Sequence, residues 1–135
     1  MPRMRLVSSL LLAMLLACVA REGSPDLACR ALARAVADRD AERAWALLSS
    51  DTQAWLDARA KKVAAAAPGV VPASGEQLLL GTASRRSRPL SGVVVLRESR
   101  DRAVVEVEEE GGAKHEVELV RENGWRVRIP PPDRR

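Results

Sequence analysis

Near Leu90 the apolar residues of this 135-residue chain change their spacing, from about 3.6, the period of a helix, to about 2, that of a strand. Upstream, residues 27–67 are rich in alanine, leucine, arginine and aspartate and hold neither glycine nor proline, which is a helix composition. Ala28, Leu32, Ala35 and Val36 share one face of a first helix. The aspartates of ADRDAE interrupt that stripe, and Asp40 is placed to cap a second, short helix carrying Trp45, Leu47 and Leu48. Ser49 or Ser50 opens a third helix, in which Leu56, Ala60, Val63 and Ala67 line up, and Pro68 ends it. The stretch PGVVPASGEQ then reads as a loop. Within it Ser74 and Gln77 have capping-box spacing for a brief turn through the next three leucines.

From Leu90 onward, GVVVLRE is a continuous apolar run, the pattern of a strand covered on both faces or at a sheet centre. RAVVEVEEE, KHEVELVRE and WRVRIP alternate, each bounded by a turn, and predict antiparallel strands with one buried face. Keeping Val117, Leu119, Trp125, Val127 and Ile129 on one face fixes the loop length, because a slip of one residue inverts every side chain. A three-residue loop, Glu122-Asn123-Gly124, pairs Leu119 with Val127 and Val117 with Ile129, with Gly124 in the left-handed region. Glu110-Gly111-Gly112 repeats the device, setting Val105 against Val117 and Val107 against His115. On the outer face Glu118 then opposes Arg128 and Glu108 opposes Lys114, while Glu106 opposite Glu116 is a conflict.

The first residues, MPRMR, are basic, and LVSSLLLAMLLA carries no charge. A basic start and a short apolar stretch is the pattern of a secretory signal, and the stretch is shorter than the ~20 residues of a membrane helix. It ends in LLAC, which resembles the lipobox of bacterial lipoproteins. The resemblance implies cleavage after Ala17, so that residues 1–17 are a signal peptide and Cys18 is the lipidated first residue. In that family Val19, rather than an aspartate, goes with the outer membrane. Residues 18–26 then form a tether, and the domain faces the periplasm from a lipid anchor in the cell envelope. Removing the first 17 of 135 residues leaves 118, enough for one core, and takes Arg3 and Arg5 off the formal charge of +4, leaving +2. That small excess, on an exported chain, gives no case for nucleic acid. Cys29, with Cys18 acylated, has no disulfide partner and reads as a small buried hydrophobe.

Helices followed by an antiparallel sheet is an α+β order. ALARAVADRDAERAWALLSSDTQAWL is similar to the helical opening of small bacterial lipoproteins of the nuclear transport factor 2-like superfamily. DRAVVEVEEEGGAKHEVELVRENGWRVRIP resembles the same group's ending. The resemblance implies a single domain over residues 27–130, with the helices packed into the concave side of a curved, mainly antiparallel sheet that sometimes encloses a pocket. Residues 131–135 are expected as a flexible tail. Relatives often pair through the open sheet face, so the resemblance leaves a homodimer open.

Ketosteroid isomerases share that scaffold, but their carboxylate base works beside a tyrosine, and this chain has no tyrosine. No cysteine pair or histidine cluster marks a metal site, and no motif calls for a cofactor. His115, the single histidine, is either a base or a rim residue shielding the core's edge. Trp45, Trp55 and Trp125 are ligand platforms or, with no phenylalanine or tyrosine to fill volume, the main core anchors. Arg85, Arg86 and Arg88 either hold an anion, such as a lipid headgroup, or belong to a solvated loop. The expectation is a non-catalytic binding or scaffolding domain with a protein partner or a small apolar ligand. The alternative is an enzyme or apolar-ligand carrier using the cone.

Overall fold

The computed structural model describes residues 23–70, 74–83, 85 and 87–131. The expected signal peptide, Cys18, Arg86 and residues 132–135 lie outside them. Among the described residues four helices are followed by four strands: α1 (Pro25–Ala37), α2 (Ala41–Ala46), α3 (Ser50–Ala66), α4 (Gly75–Ala83), β1 (Leu90–Glu98), β2 (Arg102–Glu109), β3 (Lys114–Arg121) and β4 (Trp125–Arg128). The strands form one open antiparallel sheet in the order β1-β2-β3-β4. The α+β class expected from the change of period is what the chain adopts.

α1 starts earlier than expected, inside the segment read as a tether, and Pro25 opens it. Proline at the first helical position has its φ already set, and the N–H it lacks would have had no partner there. Asp26 adds a negative charge in the first turn, where the helix dipole favours it. α2 is capped as expected: the Arg43 amide donates to Asp40 Oδ1 at 3.1 Å.

α4 replaces the brief turn expected after Ser74 with nine helical residues. The Gln77 amide donates to Ser74 Oγ at 3.3 Å and the Gly75 amide to Asp57 Oδ1 at 2.8 Å. Gly75 sits so close to α3 that a Cβ would lie 2.7 Å from the Asp57 backbone nitrogen and 2.7 Å from Trp45 Cη2. The glycine that reads as a loop signal is therefore the residue that lets α4 pack.

The strand register matches the alternation. Leu119 pairs with Val127, Val105 with Val117, and Val107 with His115. Asn123 (φ 53°) joins Gly124 (φ 102°) in the left-handed region, a conformation asparagine tolerates better than most residues. Glu106 does face Glu116, but Lys114 Nζ stands 3.4 Å from Glu106 and offsets the repulsion.

Two expectations for the sheet need correction. β1 is an edge strand, not a central one, and Val94 and Leu96 are 57% and 41% exposed. Register shifts at Leu90/Gly92 and Val95/Arg97 break its alternation. Valine suits a pleated backbone even where only one face is covered, so an apolar run does not by itself mean double burial. Ile129 is also exposed, not inward. β4 ends at Arg128, and the Ile129 amide donates to Thr52 Oγ1 at 2.9 Å instead of extending the ladder.

α1 packs across β1, β2 and β4. The core lies beneath it, built from Ala35, Val36, Ala44, Leu48, Leu56, Val105, Leu119, Trp125 and Val127. The α2–α3 junction covers the β4 edge with a parallel bridge from Leu48 to Val127. There the Val127 amide donates to the Leu47 carbonyl at 2.8 Å and the Ser49 amide to the Val127 carbonyl at 2.9 Å. Covering an edge in this way removes a template for pairing with another chain.

Candidate functional site

α1 ends in a Schellman turn. The Arg39 amide donates to the Val36 carbonyl at 3.1 Å and the Asp40 amide to the Ala35 carbonyl at 2.9 Å. Arg39, at φ 56°, occupies the left-handed position that usually belongs to glycine. A residue with a Cβ there costs about 1 kcal/mol relative to glycine.

This turn forms one wall of a cleft of about 700 Å³, within the range of small-molecule sites. The start of β1 and the end of β2 form the other wall. Ala33, Val36, Ala37, Ala83, Pro89 and Leu90 make the lining largely apolar, and Arg34, Arg39, Arg88 and Glu109 supply its charges. Arg34 Nε lies 3.8 Å from Asp38 Oδ2, with both side chains mostly in water, so this pair holds the guanidinium only weakly.

Arg88 thus lines the same cleft as Arg34 and Arg39, two residues that no sequence pattern singled out. Arg85 is exposed but does not line the cleft, and Arg86 lies outside the described residues. The signal that could have found Arg39 is ADRDAE itself: a helix ends and another begins there with no glycine or asparagine at the turn.

His115 keeps its expected register opposite Val107, and its side chain is 58% exposed. Its Nε2 lies 3.7 Å from Glu109 Oε1, beyond direct hydrogen-bond length. Of the three tryptophans only Trp125 is a buried anchor, at 3% exposure, while Trp45 and Trp55 are half-buried at the edge of the core. Trp55 borders a second, apolar groove of about 410 Å³ with Leu56, Val63, Leu78, Leu79 and Ile129, and the Arg59 guanidinium lies 5.9 Å from its ring centroid. Cys29 is buried, and burial first, with the Asp26 charge second, pushes its thiol up to about 11. It stays protonated near neutral pH and behaves as a hydrophobe.

A polar cluster ties α3 to β4. Ser49 donates its hydroxyl to Asp51 Oδ1, Arg128 Nε donates to Asp51 Oδ2 at 2.7 Å, and Arg128 Nη1 donates to Glu118 Oε2 at 3.1 Å. The Arg128 bond foremost, then the Ser49 bond, holds the Asp51 carboxyl below its usual 3.8. Because the folded value is the lower one, the stabilisation is present above about pH 4 and is lost as pH falls through the folded value. Asp51→Asn should therefore flatten the fall of Tm below about pH 4, measured by circular dichroism melts. The effect is modest, since the Asp51 side chain is 54% exposed. A fall as steep as that of the unaltered protein would remove Asp51 as its source.

Among the described residues no group of three or more histidine, cysteine, aspartate or glutamate side chains is placed to hold a metal ion, and no helix is long and apolar enough to cross a membrane. The chain matches no family model, no curated protein and no solved structure.

Proposed function

We propose that this chain is a lipid-anchored binding domain of the bacterial cell envelope, held through Cys18, facing the periplasm and working without catalysis. On this reading its fold is nuclear transport factor 2-like, and Val19 after the acylated cysteine goes with the outer membrane. The observation that carries the proposal is the cleft's chemistry: an apolar lining with guanidinium groups around it. Guanidinium does not deprotonate in proteins, so Arg34, Arg39 and Arg88 can attract and orient a ligand but cannot serve as a base.

Geometry supports a division between anchoring and binding. The Trp125 indole Nε1 donates to the Gly23 carbonyl at 3.0 Å, which pins the base of the tether to the start of β4. Gly23 stands five positions after Cys18, a reach of about 18 Å at most. Trp125 pairs with Arg121, whose amide donates to the Asp101 carbonyl just before β2. Glu109 in the cleft is the last residue of β2, a strand of eight residues, about 26 Å long. Arg88, one of the arginines first read as a contact for an anion such as a lipid headgroup, thus lies with Arg34 and Arg39 at the far end of the sheet from the tether. They are suited to a ligand met away from the anchoring membrane.

In a bacterial host, Cys18→Ala should abolish labelling by a fatty-acid probe and release the protein from membranes. Retention of the unprocessed variant in the membrane would overturn the lipid anchor. His115 lies within ion-pair reach of Glu109, which lines the cleft, and a hydrogen bond that tightened on ligand binding would make a second reading, an acid–base site. Loss of function in His115→Gln at unchanged stability and localisation would put that reading first.

A further inference from the structure

We infer that the cleft takes a single-chain anionic amphiphile, its carboxylate or phosphate head on the guanidinium groups of Arg34, Arg39 and Arg88 and its tail along Val36, Ala83 and Leu90. The inference rests on reading this cleft as a binding site and names the class of its ligand.

Charge comes first. Among the described residues three permanent cations line the cleft against one carboxylate, Glu109, which itself has His115 3.7 Å away. Asp38 engages Arg34 only across 3.8 Å of exposed surface, so an incoming anion competes with a weak partner. Guanidinium presents paired N–H donors that match the oxygens of a carboxylate or phosphate.

The lining narrows the class. Alanine, valine, proline and leucine side chains offer nothing to an inorganic ion and leave apolar surface for a hydrocarbon tail. Glu109 on the other wall disfavours a second anionic group, which limits the ligand to one head.

Arg39 supplies an independent observation. It holds φ 56° in a turn where glycine would be the more stable residue. Residues held at such a cost cluster at functional sites, and Arg39 lines this cleft. The inference therefore predicts that one substitution moves stability and binding in opposite directions.

The test uses the full-length lipidated protein in nanodiscs of neutral lipid, with empty discs subtracted. The probes are octyl phosphate below its micelle concentration, inorganic phosphate as the head alone, and octanol as the tail alone. Titration calorimetry should show octyl phosphate binding with one site per protein and at least about ten-fold tighter than either fragment. Arg39→Gly should weaken octyl phosphate about ten-fold, the loss of a charge-assisted contact, while raising Tm by about 4 °C. Arg88→Ala, outside the regular elements, should weaken it by a similar factor and serves as the second variant.

Unchanged affinity in both variants would overturn the proposal. So would phosphate alone binding as tightly as octyl phosphate, or recruitment to anionic vesicles without binding of the monomeric probe. Octanol binding as tightly as octyl phosphate would overturn the anionic head yet leave the binding-domain reading standing. Failure of all three probes to bind would overturn both.

Discussion

Trp125→Ala should lower the free energy of unfolding by about 3–5 kcal/mol, read from urea denaturation followed by circular dichroism. The side chain is 3% exposed, so truncation removes buried apolar surface and leaves a cavity where it stood. Its Nε1 is the donor to the Gly23 carbonyl, and the Arg121 guanidinium lies 4.6 Å from the ring centroid. Both contacts go with the ring, the second being a cation–π pair. A domain of this kind has about 5–15 kcal/mol in total, so the variant should be marginal at 37 °C. Trp125→Phe separates the contributions. It keeps most of the ring and loses the donor, and should cost about 1–3 kcal/mol. A loss below about 1 kcal/mol in the alanine variant would mean that the start of β4 is not an anchor of the core.

Leu119→Ala should cost about 2–5 kcal/mol, towards the upper part of that range. Leu119 is fully buried on β3, an interior strand, between Ala103 of β2 and Val127 of β4. The cost of such a truncation depends on how far neighbours can move into the space. Ala103 has no reach, and Val127 is held by backbone bonds to Leu47 and Ser49. The cavity should stay open. Stability within about 1 kcal/mol of the unaltered protein, in the same urea measurement, would show that the layer beneath α1 can collapse.

The hairpin registers were legible because two constraints met. Alternation assigns a face to each residue, and the glycines at 111, 112 and 124 fix where the chain can reverse. Only three-residue loops satisfy both. The same logic found Trp125, whose neighbours alternate cleanly. It failed at Ile129, because alternation says nothing of where a strand stops, and Thr52, 77 positions upstream, takes the next amide. It failed at β1, where a run of valines carries no alternation to read. α4 was hidden for a different reason. Gly75 and Gly81 lower its helix propensity, and the need for a glycine against Asp57 and Trp45 is a tertiary fact.

The cleft was only a third legible. Arg88 drew notice because it stands near two other arginines in sequence, yet its partners in space come from the end of α1. No local pattern reports that α1 runs across the sheet so that its last turn meets the start of β1. Arg39 could have been suspected, since a helix–helix turn without glycine or asparagine is unusual. His115 was placed correctly in register beside a turn, while the strand pattern does not show how far the helices extend over the sheet.

The bond from Trp125 to Gly23 joins residues 102 apart in the chain, and the bonds from β4 to the α2–α3 junction span nearly as far. Contacts this distant form slowly, because a long loop must close before they give any return. α1 can pack on β1 and β2 without the last strand, but the part of the core that Trp125 and Val127 fill stays open until β4 is in place. A chain cut short at residue 124 would lose together the last strand of the sheet, the backbone bonds to the α2–α3 junction and the hold on the base of the tether.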